Sequence, residues 1–303
     1  MKWKFDLFKK LGIVIVLAAS FSNFNYSKAW AEIVEVSGGG QCEGDITVND
    51  LNGKVVCTYS NGDRYEGTFA DGQPNGQGVY IGANGGRYEG QFVDGDPSGN
   101  GTFVYQNGDR CSGVVSNGQL NGEGECTYSN GDTYKGNFVA GKPEGQGVYN
   151  FTNGGSYQGT FVSGEFSGQG VRKYTDGNGY EGEFKAGKPS GTGTYTFADG
   201  SRYQGQMSSG EFSGRGTFTE ASGNRYEGEF ASGKYNGTGT YIFANGDRCE
   251  GTFKDGQLNG SAVCDYNSGD TYQGEFRGGQ KHGTGVYTFA DGAVVEGTWN
   301  SDQ

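Results

Sequence analysis

The stretch Tyr180–Arg202, YEGEFKAGKPSGTGTYTFADGSR, decides the fold because it recurs. From residue 42 to residue 294 the chain divides into eleven blocks of 23 residues with no insertion or deletion. Within a block numbered 1 to 23, position 1 is Tyr or Cys, position 3 is always Gly and position 5 is usually Phe. Gly usually returns at positions 8, 12, 14 and 21, and aromatic residues often fill 16 and 18. Alternation with a period of two marks a strand with one distinct face. Gly at this density argues against helix. Each block therefore predicts two strands, at about positions 1–5 and 12–18, separated by Gly-rich turns.

The cysteines set the register. They stand at 42, 57, 111, 126, 249 and 264, three pairs each fifteen residues apart, always at block positions 1 and 16. Elsewhere position 1 is Tyr and position 16 mostly Tyr or Phe, so two aromatics are exchanged together for two Cys. Such an exchange implies that the two positions oppose each other across a hairpin, close enough for a disulfide. The expected bonds are Cys42–Cys57, Cys111–Cys126 and Cys249–Cys264. The same register places position 3 opposite 14 and position 5 opposite 12. One face of the reference block then carries Tyr180, Gly182, Phe184, Gly191, Gly193 and Tyr195, with aromatics from adjacent strands lying over the glycines.

An odd repeat length would turn the aromatic face over at every block. The Asn-Gly or Asp-Gly at positions 20 and 21, as in Asp199-Gly200, supplies a compensating irregularity. The expectation is a three-residue loop with Gly200 in the left-handed region, a type I turn followed by a G1 bulge.

Tyr180, Gly182, Phe184, Gly187, Gly191, Gly193, Tyr195 and Gly200 match the pattern YxGxFxxGxxxGxGxYxxxxGxx. The chain thereby resembles the MORN (membrane occupation and recognition nexus) repeat family over residues 42–303. The resemblance implies an elongated single-layer antiparallel sheet of stacked hairpins and a scaffold or protein-binding role, with lipid binding in some members. The first block departs from the pattern, with Ile46, Asn49 and Val55 at positions 5, 8 and 14, and reads as a cap.

Residues 1–31 read as a secretory signal peptide. Lys2, Lys4, Lys9 and Lys10 precede the apolar stretch Leu11–Ala19, and Ala29-Trp30-Ala31 forms a small-x-small cleavage site. An uncleaved N-terminal membrane anchor is the alternative. Residues 32–41 form a lead-in, 42–294 the array, and 295–303 a partial capping repeat with Trp299 at the Phe position. A signal peptide and paired cysteines both point to an exported, oxidising setting, periplasmic or secreted.

The whole chain carries −12. Its first 31 residues hold five Lys and one Asp, a net +4, which leaves −16 for the remainder. That balance argues against nucleic acid and against anionic membrane surfaces as partners. One histidine, His282, reads as a turn residue. With the cysteines paired, the sequence offers no zinc site, no nucleophile–His–acid set and no phosphate-binding Gly-Lys loop. Glu66, Glu89, Glu181, Glu227 and Glu250, all at position 2, line the surface opposite the aromatic face rather than a cleft.

The function read from the sequence is a non-enzymatic exported scaffold that needs no cofactor and no metal and binds a polypeptide. The candidate binding face is Tyr134, Phe138, Tyr149, Tyr180, Phe184, Tyr195, Tyr226, Phe230 and Tyr241. A glycan or cell-wall ligand stacked on the same rings is the second reading, and the array ends leave edges for self-association.

Overall fold

A strand rich in Gly holds its pairing only if something covers the bare backbone, and in this protein an aromatic ring does so. A computed structural model describes residues 32–36, 39–47 and 52–300. The segment read as a signal peptide lies outside the described residues, as do residues 301–303. The chain divides into two compact units: the first ends at Thr152 and takes in Phe161–Gly164, and the second comprises Asn153–Thr160 and the chain from Glu165. The described residues contain 24 strands and no helix. Within each unit the strands pair antiparallel with their neighbours in sequence.

Each repeat supplies a shorter and a longer strand, Gly179–Lys185 and Lys188–Thr196 in the reference block. Tyr180 pairs with Tyr195 and Gly182 with Gly193, as the cysteine spacing predicted. Cys42 pairs with Cys57, Cys111 with Cys126 and Cys249 with Cys264. All three pairs form disulfides, with Cα atoms 4.0 Å apart. Each contributes on the order of 2–4 kcal/mol.

The opposition of positions 5 and 12 within a repeat holds in the first block, where Ile46 pairs with Gly53, but not in the reference block. Phe184 faces Pro189, and the register shifts between Gly182 and Phe184. The cause is a tighter turn than the sequence reading supposed. Lys185 pairs directly with Lys188, and the two residues between them, Ala186 at φ 50° and Gly187 at φ 78°, are both left-handed. Two left-handed residues make the type I′ connection that matches the twist of a hairpin. The second strand therefore starts at position 9 rather than 12, and carries two extra residues past the bulge. An even excess leaves the faces unchanged. Position 12 instead meets position 5 of the next repeat, as Gly191 does Met207.

The other connection is the predicted one. Phe197 N–H donates to Ser201 O at 2.8 Å and Gly200 N–H to Phe197 O at 3.0 Å, with Gly200 at φ 91°. Ala198-Asp199-Gly200 is thus a three-residue loop closed by a G1 bulge.

Hydrogen bonding continues through both sets of turns. At the tight turns, Gly187 N–H donates to Phe166 O at 3.0 Å and Gly210 N–H to Pro189 O at 2.8 Å. At the other edge, the position 22 side chain accepts from an N–H of the next turn. The pairs are Asp109 with Ser129 (2.8 Å), Asp132 with Thr152 (2.8 Å), Asn178 with Ala198 (2.9 Å) and Asp247 with Asn267 (2.8 Å).

The ends differ from the sequence reading in one respect. Within the lead-in, Glu32–Val36 is a strand that pairs with Gly40–Thr47. At the C-terminal side, Val294–Asn300 pairs with Gln280–Thr288 and brings Trp299 to 5.3 Å from the Tyr272 ring. His282 belongs to the strand Gln280–Thr288, opposite Glu275, and is not a turn residue.

Candidate binding face

Within each unit two rows of rings share one face, and burial separates them in the second unit, whereas Tyr59, Tyr80 and Phe103 of the second row in the first unit are buried. The first row is built from positions 1 and 5. Tyr180 folds back along its own strand over the Gly pair: a Cβ on Gly182 would stand 2.7 Å from its hydroxyl oxygen, and one on Gly193 2.6 Å from its ring. Its hydroxyl donates to Glu183 O at 3.1 Å. The cover for Gly193 thus comes from the adjacent strand, as expected, while the same ring also covers Gly182 two residues along its own strand. The same row couples successive repeats edge to face: Tyr134 with Phe161 at 4.9 Å, Tyr157 with Phe184 at 5.0 Å, Tyr203 with Phe230 at 5.0 Å and Tyr226 with Phe253 at 4.9 Å. A ring at position 10 stacks on position 1 where one is present, as Phe212 does on Tyr203 at 3.9 Å.

Six of the nine residues proposed as a binding face belong to this first row. Tyr134, Phe138, Tyr180, Phe184, Tyr226 and Phe230 are all at most 4% exposed, so they pack between repeats and offer an extended partner no row of surface, though Phe138 borders a recess in the first unit. Burial pushes the hydroxyls of Tyr134, Tyr180 and Tyr226 up to about 12.

The remaining three, Tyr149, Tyr195 and Tyr241, stand at position 16 and are half-buried. They belong to a second row completed by position 18, which the candidate list omitted. Tyr149 meets Phe151 at 4.7 Å, Tyr195 meets Phe197 at 4.8 Å and Tyr241 meets Phe243 at 4.7 Å. Phe243 and Phe289 are 41% and 43% exposed. The signal for this row lay in the sequence: an aromatic residue placed inside a turn, where strand packing does not demand one.

The hydroxyls of the second row point to the turn carboxylates. Tyr149 donates to Asp132 at 2.7 Å and Tyr287 to Asp270 at 2.8 Å. The Thr152 N–H, then the Tyr149 hydroxyl, hold the Asp132 carboxyl down at about 2. The Tyr287 hydroxyl, then the Ala290 N–H, lower that of Asp270. Both anions are stabilised by donors that prefer the charged form.

On the opposite face, exposed Arg–Glu pairs run along the strands, Arg64–Glu66 at 3.0 Å and Arg87–Glu89 at 2.7 Å among them. Such pairs contribute at most about 1 kcal/mol each.

The first unit interrupts both rows. Gly82 stands at position 18 and Gly86 at position 22, and the Cys111–Cys126 disulfide replaces the rings at positions 1 and 16. A recess of about 990 Å³ opens there, walled by Tyr80, Tyr105, Tyr128 and Phe138, with Asp63 and Asp109 along it.

The family model for the MORN repeat matches ten consecutive segments: 65–87, 88–110, 111–133, 134–156, 157–179, 180–202, 203–225, 226–248, 249–271 and 272–294. The atypical block at 42–64 is not among them. Among solved structures, the wild-type TCP10 domain of Danio rerio CPAP is 13% identical, with 80% of this chain and 99% of that one covered and a TM-score of 0.26. The SAS-4 (dCPAP) TCP domain of Drosophila melanogaster, in complex with a proline-rich motif of Ana2, is 11% identical over 86% of this chain and 99% of that one, with a TM-score of 0.17. A streptogramin B lyase is 11% identical over 95% and 87%, with a TM-score of 0.15. No curated protein matches the chain.

Proposed function

The chain belongs to the MORN-repeat family, whose repeats mediate protein or membrane interactions, and from that premise we propose that it is a non-enzymatic exported scaffold that holds a polypeptide along its second aromatic row. The supporting observation is the division between the rows. In the second unit position 1 and 5 rings are consumed by packing, whereas position 16 and 18 rings such as Tyr195, Tyr241 and Phe243 keep accessible surface. Repeated apolar surface of this kind favours an extended partner with side chains at regular intervals. Three disulfides are compatible with an oxidising compartment. The charge of −16 disfavours an anionic membrane as the partner.

The test is affinity capture from the exported fraction, using the wild type and a Phe197→Ser/Phe243→Ser variant. A polypeptide retained by the wild type and lost from the variant, at unchanged melting temperature, is the expected result. Retention that ignores the substitutions, or retention of polysaccharide alone, contradicts the reading; the latter would favour a glycan stacked on the same rings.

A further inference from the structure

The second unit shows what one site on this face can hold. Lys281 occupies position 10, where Phe166, Phe212 and Tyr235 present rings. Its Nζ lies 4.9 Å from the centroid of Tyr287, 5.3 Å from those of Tyr272 and Trp299, and 5.4 Å from that of Tyr266. Four rings at this range around an ammonium make a cation–π seat. They come from positions 18, 1, 16 and 5 of successive repeats.

Seven repeats of 23 residues earlier, those positions are Tyr105, Cys111, Cys126 and Phe138, and position 10 is Leu120. Tyr105, Cys111, Cys126 and Phe138 line the recess in the first unit. Leu120 is buried and brings no charge. The disulfide takes less space than the two rings it replaces, and Gly82 removes another. Carboxylates flank the opening. Asp63 accepts from the Asn61 amide, the Tyr80 hydroxyl and, at 2.8 Å, the Ala83 N–H. Asp109 accepts from the Asn107 amide and the Ser129 N–H, both at 2.8 Å. All these donors are neutral, and among the described residues neither carboxylate forms a salt bridge.

We propose that this recess is the docking seat for a Lys or Arg side chain carried by a basic segment of a polypeptide partner. The proposal rests on the scaffold reading and adds to it the chemistry of the partner. The half-buried Tyr105 and Tyr128 rings on the recess wall attract the cation by their quadrupoles. Two carboxylates without a cationic partner supply complementary charge, and the acidic chain as a whole draws basic segments toward it.

The test is a fluorescence-anisotropy titration of the exported full chain with a short labelled peptide of alternating Lys, Ala and Arg. A counterpart carrying acetyl-lysine and citrulline is the control. Asp63→Asn/Asp109→Asn removes the charge and keeps the Ala83 and Ser129 N–H bonds, since Asn178 and Asn224 accept the same bond at 2.9 Å, while the Asn61 and Asn107 amides lose their acceptors. The expected result is binding of the basic peptide alone, weakened about tenfold or more in the double variant while its far-ultraviolet strand signal matches that of the wild type. Gly82→Tyr, which restores a ring at position 18, should weaken it comparably. Equal binding by the variants, equal binding of the neutral peptide, or binding of tetramethylammonium as tight as that of the peptide would overturn the proposal. In those cases the scaffold reading survives if capture still depends on Phe197 and Phe243. Capture of no polypeptide at all would remove both.

Discussion

The Tyr180 ring and Gly193 occupy one space: a Cβ on Gly193 would stand 2.6 Å from ring carbon Cζ. The sequence obeys this contact. Wherever Tyr heads a repeat, position 14 is Gly; the three repeats headed by Cys have Val55, Gly124 and Ala262 there. Gly193→Ala should therefore cost about 2 kcal/mol by forcing the ring off its seat. Denaturant unfolding measures it, and a loss under about 0.5 kcal/mol would show that the ring is not confined.

The same constraint governs the exchange of a disulfide for rings. Replacing Cys249 and Cys264 by Tyr should fold poorly while Ala262 occupies the ring's place. Adding Ala262→Gly should recover stability. Equal melting temperatures for the two variants would separate the ring from the residue at position 14.

Asp132 titrates at about 2 in the folded protein, below its unfolded value of about 4. Its contribution is then complete above pH about 4 and is lost as pH falls toward about 2. Asp132→Ala should lower the melting temperature at neutral pH, and the difference from wild type should shrink through that acid window. A constant difference across it would contradict the hydrogen-bond account.

Tyr134, Tyr180, Tyr203 and Tyr226 are pushed by burial to about 12. A folded value above the unfolded one of about 10 means stability that is whole below pH about 10 and lost as pH rises toward about 12. Phenolate absorbance should lag in the folded protein and appear together with loss of the far-ultraviolet strand signal. Early titration of these phenols without unfolding would contradict their burial.

Ala186 holds φ 50° at the tight turn, a region that costs a residue with a Cβ roughly 1 kcal/mol. Ala186→Gly should raise stability by about 0.5 kcal/mol after the entropy of the unfolded chain is counted. A destabilised variant would argue against the type I′ turn.

The repeat length, the Tyr180–Tyr195 register, the disulfides and the Gly200 loop were legible because each left a spacing in the sequence. The turn at Ala186-Gly187 was not. From the second block on, position 7 carries Ala, Ser, Asp, Asn or Gly, so its left-handed backbone has no single residue signature. The bulge that follows from it shifted Phe184 from Gly191 to Pro189. Burial was misread for a related reason. Period-two alternation states which face a ring is on, but not whether the ring lies flat over glycines, as Tyr180 does, or stands at a turn edge, as Phe243 does.

Hydroxyl-radical footprinting of the exported protein, alone and with its retained polypeptide, tests the division of labour between the two rows most directly. Tyr195, Phe197, Tyr241 and Phe243 should oxidise in the free protein and be protected by the partner, while Tyr180 and Phe184 resist in both states. Comparable oxidation of Tyr180 and Phe184 in the free protein, or a partner that protects none of the four outer rings, would contradict it.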